Sequence, residues 1–193
     1  YSNNTIQFNN TSHNDTVNDD YLIIHPSNNS FDIGILPFTI EFWVKMTNHG
    51  GSWNTLFEFG THDGTGCAGI GFWWHGSPHW YANLNIGTND NSSGTKYSFN
   101  YDVLPWGQSV TWSKFYHIAI VRNADTLDKS VKLYIDGTLI TPNYPVGTNG
   151  IHGEDDTTFL HNVVYSPRTF KIGYFTHGDY GGWSGYMENF RFI

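Results

Sequence analysis

The sequence predicts an all-β protein in which two antiparallel sheets pack face to face. Short apolar runs recur along the chain, and 21 glycines together with many asparagines separate them, which is typical of strands joined by turns. No segment keeps a 3.6-residue apolar period, so we expect little helix. About a dozen strands of this kind bury their apolar faces by forming a two-sheet sandwich.

The domain organisation follows from length and composition. The chain has 193 residues, of which 18% are aromatic and 13% charged, so it has enough apolar surface for one large β domain. We expect residues 1–193 to form that single domain. Residues 1–20 are rich in Asn, Thr, Ser and Asp. They predict a polar leader with one strand, around Thr5 to Phe8, that pairs at a sheet edge.

The clearest strand in the first half of the chain is FTIEFWVK, residues 38–45. Its apolar and polar residues alternate, which indicates a half-buried strand. The apolar face holds Phe38, Ile40, Phe42 and Val44, and the outer face holds Thr39, Glu41 and Lys45. Trp43 joins the outer face, so it must either be covered by another element or be exposed for a functional role. Further strands are predicted at Tyr21–Ile24, Leu56–Phe59, Ile70–Trp74 and Trp80–Ile86.

The second half repeats the pattern. Strands are predicted at Phe115–Arg122, Val131–Ile135, Thr138–Ile140, Phe170–Phe175 and Gly185–Ile193. Asp136-Gly137 is a strong signal for a two-residue hairpin turn. In a regular last strand, Glu188 would lie on the same face as Phe190 and Phe192. This predicts that Glu188 is either a buried, hydrogen-bonded carboxylate or the neighbour of a β-bulge.

Charge and apolar patterning exclude several partners. The net charge is −8, from nine Lys and Arg against seventeen Asp and Glu, so a nucleic-acid backbone or an anionic membrane surface would be repelled. No stretch approaches the roughly 20 apolar residues of a membrane-spanning helix, and we expect no membrane insertion. Cys67 is the only cysteine and allows no internal disulfide. Because the chain begins at Tyr1, we expect it to be part of a longer protein, whose other domains or copies would be partners.

Four segments in order resemble one known family. They are FTIEFWVK (38–45), WSKFYHIAIVR (112–122), VKLYIDGTL (131–139) and GYMENFRFI (185–193). Together they resemble the laminin G-like branch of the concanavalin A-like lectin/glucanase superfamily, over residues 21–193. The resemblance implies a jelly roll of one convex and one concave sheet. It also implies an adhesive or carbohydrate-binding module of a secreted, cell-surface or virion fibre protein, with calcium bound in many members.

The superfamily also contains glycosidases, which need two carboxylates roughly 5 to 10 Å apart across the sugar. The glucanase members carry an E-x-D-x-E run on one strand, and this sequence has none. Glu41 and Glu58 stand singly on predicted strands. We therefore expect a non-catalytic protein, with Glu58 and Glu188 as the residues that a glycosidase would use.

Acidic loop residues and a pair of histidines are the candidate metal ligands. The resemblance implies a calcium ligand in the loop after the third main strand, where Asp63 lies, and Asp155 and Asp156 of a second acidic loop would complete the site. The alternative is that these are solvated turn acids, and both interpretations stay open. His75 and His79 are four residues apart, but Gly76 and Pro78 prevent the helix that would bring both to one zinc ion.

The aromatic residues in Gly-rich loops and at strand ends predict a sugar site. Flat rings contact the C–H faces of a sugar, and neighbouring amides, carboxylates and imidazoles bind its hydroxyls. The candidates are Trp53, His62, Trp73, His75, Trp80, Tyr81, Asp179, Tyr180 and Trp183. The alternative is that several of these rings fill the core. A glycan or another cell-surface ligand is the expected partner, and a structural or protein-interaction domain of a virion fibre or surface filament is the alternative function.

Overall fold

The computed structural model describes twelve segments of the chain: 5–9, 20–25, 36–48, 54–61, 68–76, 80–88, 95–102, 114–123, 131–140, 142–144, 170–173 and 184–193. Within 68–76, 80–88, 95–102 and 142–144 the description is of the backbone and its pairing. Nothing helical in this part of the chain has the length and apolarity needed to cross a bilayer.

These residues form thirteen strands in two sheets, and every pair of neighbouring strands is antiparallel. The strands are β1 (Thr5–Asn9), β2 (Leu22–Ile24), β3 (Phe38–Asn48), β4 (Asn54–Thr61), β5 (Ala68–Gly76), β6 (Trp80–Thr88), β7 (Thr95–Asp102), β8 (Tyr116–Arg122), β9 (Val131–Ile135), β10 (Thr138–Ile140), β11 (Pro142–Tyr144), β12 (Phe170–Ile172) and β13 (Ser184–Phe192). The six-stranded sheet has the order β1-β13-β3-β8-β9-β10, and the seven-stranded sheet has the order β11-β7-β6-β5-β4-β12-β2. The predicted two-sheet antiparallel sandwich is confirmed, as is the edge strand at Thr5 to Phe8.

The core lies between the two sheets. The apolar face predicted for β3 is buried, and Ile40 and Phe42 are 0% exposed. The Phe42 ring meets the Phe57 ring of the other sheet edge-on, with 5.9 Å between centroids. The ring centroids of Phe190 of β13 and Phe170 of β12 are 5.1 Å apart. Such interlocked rings fix how the two sheets face each other.

A β-bulge in β13 explains how Glu188 and Phe190 can lie on opposite faces of the sheet. Glu188 pairs with Trp43 of β3 and Arg191 pairs with Glu41, so two residues of β13 lie opposite one residue of β3. Asn189 takes up the extra position with a φ of 51°, in the left-handed region that Asn tolerates. The prediction of a neighbouring bulge is therefore confirmed. It lets Phe190 face the core while Glu188 stays on the outer face.

The Asp136-Gly137 turn between β9 and β10 is confirmed as a hairpin turn. Both residues have positive φ, 50° and 78°, as a type I′ turn requires. The Asp136 carboxylate accepts hydrogen bonds from the Lys114 ammonium at 2.5 Å and from the backbone N–H of His117 at 2.9 Å. Burial raises the pKa of Asp136, but these bonds and the nearby positive charge outweigh it and hold the pKa below its usual value.

We expect Asp136→Asn to lower stability only where the carboxylate is ionised. Asn keeps the left-handed turn geometry but removes the charge, so its effect reports the ionised carboxylate. A lowered folded-state pKa gives stability that is present above the unfolded pKa of about 3.9 and is lost as the pH falls through the lower folded value. The variant should therefore melt below the wild type at pH 7, and the difference should shrink at pH 3. An equal difference at both pH values would contradict the assignment.

Candidate functional site

The β5–β6 hairpin brings four of the predicted sugar-binding positions to one end of the seven-stranded sheet. Trp73 and His75 lie on β5, and Trp80 and Tyr81 lie on β6. His75 pairs with Tyr81, and Gly76 pairs with Trp80. The members of each pair are therefore cross-strand neighbours, at the spacing of roughly 5 Å between paired strand positions.

The register also sorts these positions between the two faces of the sheet. Phe57 of β4 contacts the opposite sheet, and it pairs with Phe72 of β5. Because strand positions alternate between faces, Phe72 and Trp74 belong to the inner face. Trp73 and His75 then belong to the outer face, together with Tyr81. Trp80, which pairs with Gly76, falls on the inner-face side.

Strand β7 adds two polar positions to the same outer face. Tyr81 pairs with Asp102, and Asn83 of β6 pairs with Asn100. Asn83 is also the partner of Trp73. The outer-face set drawn from β5, β6 and β7 is Trp73, His75, Tyr81, Asn83, Asn100 and Asp102, which we call the aromatic-amide row. Sequence reasoning missed β7, although its alternating KYSFNYD pattern was a usable signal.

Two buried polar residues bound this row on the β4 side. A register shift between Thr55 and Phe57 breaks the alternation of β4, so Thr55 pairs with Trp73 of the outer face although Phe57 pairs with Phe72 of the inner face; Thr55 is 0% exposed. Glu58 pairs with Gly71 on one side and Lys171 of β12 on the other, and it is 1% exposed. The outer face is therefore closed to solvent at β4.

The two carboxylates that a glycosidase would use lie in different sheets. Glu58 belongs to the outer side of the seven-stranded sheet, and Glu188 to the outer side of the six-stranded sheet. Packed sheets are about 10 Å apart, and these residues lie beyond that gap on opposite outer faces. One glycosidic bond cannot lie between them. They do not form a catalytic pair.

The remaining predicted site residues lie outside the described segments. They are Trp53, His62, Asp179, Tyr180 and Trp183 for the sugar site, and Asp63, Asp155 and Asp156 for calcium. Within the segments that are described, no three His, Cys, Asp or Glu residues form a group that could hold a metal ion. The calcium interpretation and its solvated-acid alternative both stay predictions.

A second constellation lies on the outer face of the six-stranded sheet. A groove of about 580 Å³ surrounds Trp43, whose side chain is 40% exposed. Glu41, His117 and Arg191 line it. The alternation in β3 predicted that Trp43 faces outward, and this is confirmed. The polar residues beside it come from three strands, so only the sheet order reveals their proximity.

Comparison with protein families identifies a relationship over nearly the whole chain. A family model for laminin G-like domains, described as the concanavalin A-like lectin/glucanases superfamily, matches residues 15–192. No curated protein matches the chain significantly in sequence.

Solved structures share the fold at low sequence identity. One is the CBM40 module of the Ruminococcus gnavus IT-sialidase bound to α2,3 sialyllactose, with a TM-score of 0.52, 14% identity, and coverage of 95% of this chain and 89% of that one. Another is a botulinum neurotoxin serotype D/C binding domain, with a TM-score of 0.50, 14% identity, and coverage of 92% and 38%. A third is tailspike protein 2 of an Escherichia coli bacteriophage, with a TM-score of 0.56, 13% identity, and coverage of 90% and 21%. At these identities the likeness shows the fold alone.

Proposed function

The chain belongs to the concanavalin A-like lectin/glucanases superfamily, and on this basis we propose that it is a non-catalytic carbohydrate-binding module of a larger secreted, cell-surface or virion protein. The observation that carries the proposal is the aromatic-amide row. Three adjacent strands contribute aromatic, imidazole, amide and carboxylate residues to one outer face.

The row has the chemistry that a sugar needs. An indole or phenol ring contacts the apolar C–H face of a pyranose. The amides of Asn83 and Asn100 both donate and accept hydrogen bonds, and the carboxylate of Asp102 accepts them, which is the hydrogen-bonding chemistry that sugar hydroxyls need. A strand-borne set is held more precisely than a set on loops, which lowers the entropy lost on binding. Trp53, Trp80, His62, Asp179, Tyr180 and Trp183 stay as proposed contributors from the neighbouring segments.

A non-catalytic role is supported by the placement of the carboxylates. Most retaining and inverting glycosidases use two carboxyl groups on either side of one glycosidic bond. Glu58 is buried in one sheet and Glu188 lies on the outer face of the other. The CBM40 relative, whose structure holds α2,3 sialyllactose, supports a binding role for the fold and suggests sialylated glycans as one probe.

A second candidate function is a protein-interaction domain of a fibre or surface filament. One observation favours it: β2 lies at the edge of the seven-stranded sheet, and all three of its side chains are apolar and exposed. Leu22, Ile23 and Ile24 are 42%, 39% and 48% exposed. An apolar edge strand can pair with a strand of another chain.

A screen of immobilised saccharides separates the two functions. We expect the purified chain to bind at least one of α2,3 sialyllactose, α2,6 sialyllactose, lactose, chitotriose or cellotriose, with a Kd in the micromolar to millimolar range. EDTA should weaken binding if Asp63, Asp155 and Asp156 hold calcium, as we propose. Folded protein that binds none of these probes, and that self-associates through β2, would contradict the carbohydrate-binding proposal and favour the second function.

A further inference from the structure

The groove around Trp43 lies on the face of the molecule opposite the aromatic-amide row. Its volume of about 580 Å³ lies within the roughly 300 to 1,000 Å³ of small-molecule sites. The lining combines an aromatic ring with charged and amide groups: Glu41, Trp43, His117, Glu188, Asn189 and Arg191.

Trp43 lines the groove from β3, between β13 and β8. It pairs with Glu188 of β13 on one side and with His117 of β8 on the other. Neighbouring strands are about 4.8 Å apart, so these flanking positions are about 10 Å from each other. A pyranose ring placed over the indole fits between them. The His117 ring, 5.0 Å from the indole and tilted by 45°, supports the indole from one side.

The acceptors in the groove are already held in place. Glu41 receives a hydrogen bond from Arg191 at 2.6 Å, and His117 lies 3.4 Å from its other oxygen. Glu188 accepts a hydrogen bond from the Thr5 hydroxyl at 2.5 Å. A carboxylate has about four lone-pair sites, so each retains capacity for a sugar hydroxyl. Pre-orientation by neighbours reduces the entropy that binding would cost.

Charge in the groove selects against an acidic ligand. Two carboxylates face one guanidinium, and the chain as a whole carries a net charge of −8. A sialic acid or uronic acid would add a further negative charge beside Glu188. The bulge at Asn189 contributes an exposed amide near the rim, which serves neutral hydroxyls. A neutral pyranose matches the groove better than an acidic one.

We propose that this groove is a second saccharide site, specific for a neutral pyranose that stacks on Trp43 and hydrogen-bonds to Glu41 and Glu188. The inference rests on the proposed carbohydrate-binding function but uses a separate site on the other sheet. Two sites on opposite faces make the domain bivalent. It can then link two glycan chains, or two positions of one chain, with higher avidity than either site alone.

The test is an NMR titration of the intact chain with lactose, maltotriose, cellotriose and chitotriose as neutral probes. We expect the indole N–H signal of Trp43, assigned with Trp43→Phe, to shift with at least one of them. Trp43→Ala should weaken that binding at least tenfold, which corresponds to about 1.4 kcal/mol. Leu139→Ala is the matched control, because Leu139 is 50% exposed on β10 of the same sheet and outside the groove.

The outcomes separate this inference from the proposed function. A saccharide that shifts Trp43 and still binds to Trp73→Ala establishes the second site. Saccharide binding that leaves the Trp43 signal unmoved, with Trp43→Ala folded and binding like the wild type, overturns the second site alone. Failure of every neutral and sialylated probe to bind anywhere overturns both proposals.

Discussion

Gly173→Ala is expected to destabilise the protein by about 2 to 4 kcal/mol, from left-handed backbone strain and a steric clash. Gly173 follows β12 with a φ of 82°, and its N–H donates to the carbonyl of Leu56 at 3.1 Å. A β-carbon there would lie 2.8 Å from the Phe8 ring and 3.0 Å from the carbonyl oxygen of Asp20. Phe8 is 1% exposed, so its ring has little room to move. Thermal or urea unfolding measures the loss.

Gly137→Ala provides the matched control. Gly137 has nearly the same φ, 78°, but a β-carbon there meets nothing within 4 Å. It should therefore show the backbone strain alone, about 1 to 2 kcal/mol. In a Phe8→Leu background, the extra cost of Gly173→Ala should shrink toward the Gly137→Ala value. Equal losses for the two glycine variants in the wild-type background would show that β1 does not pack against Gly173.

Deleting Asn189 is the second change with a large expected effect. The deletion removes the bulge, so either the residues after it or those before it must exchange faces. If the end of β13 turns over, Phe190 loses contacts with Phe42, Phe57 and Phe170, and Phe192 leaves Phe38. Phe190 and Phe192 are half-buried, so exposing both costs about 2 to 4 kcal/mol, less than for two fully buried rings. That is a large part of a typical domain's stability of about 5 to 15 kcal/mol.

Asn189→Gly is the control for this deletion. Glycine adopts a positive φ without strain, so the bulge and the face of each following residue are kept. We expect its unfolding midpoint in urea to stay close to that of the wild type, while the deletion variant unfolds at much lower urea or lacks a cooperative transition. A deletion variant as stable as the wild type would contradict the role assigned to the bulge.

Local patterns were sufficient to predict the strands whose periodicity is strong. The alternation of residues 38–45 predicted both β3 and its buried face, and Asp136-Gly137 predicted its turn. Strand β7, from Thr95 to Asp102, was missed although its polar and aromatic residues alternate as those of β3 do. Lys171 belongs to a strand of only three residues, since Gly173 adopts a left-handed φ where the sequence predicted continuation to Phe175.

The residue types of the candidate site could be chosen from the sequence, but their arrangement could not. Trp73, His75 and Tyr81 were selected from their neighbours along the chain, and the register brings them to one face. Trp80 was selected on the same grounds, yet the pairing with Gly76 assigns it to the other side. In the groove, Glu41 and Arg191 are separated by most of the chain and meet only because β13 pairs with β3. Such contacts depend on sheet order, which no local pattern contains.

We propose that the outer face of the seven-stranded sheet binds a saccharide through the aromatic-amide row. The most direct test is a backbone amide NMR titration with the saccharide that binds most strongly in the screen, comparing the wild type with Trp73→Ala. Under this proposal we expect the largest shifts at Trp73, His75, Tyr81 and Asn83, and we expect folded Trp73→Ala to bind at least tenfold more weakly. Shifts confined to other parts of the chain, with wild-type affinity in folded Trp73→Ala, would contradict it.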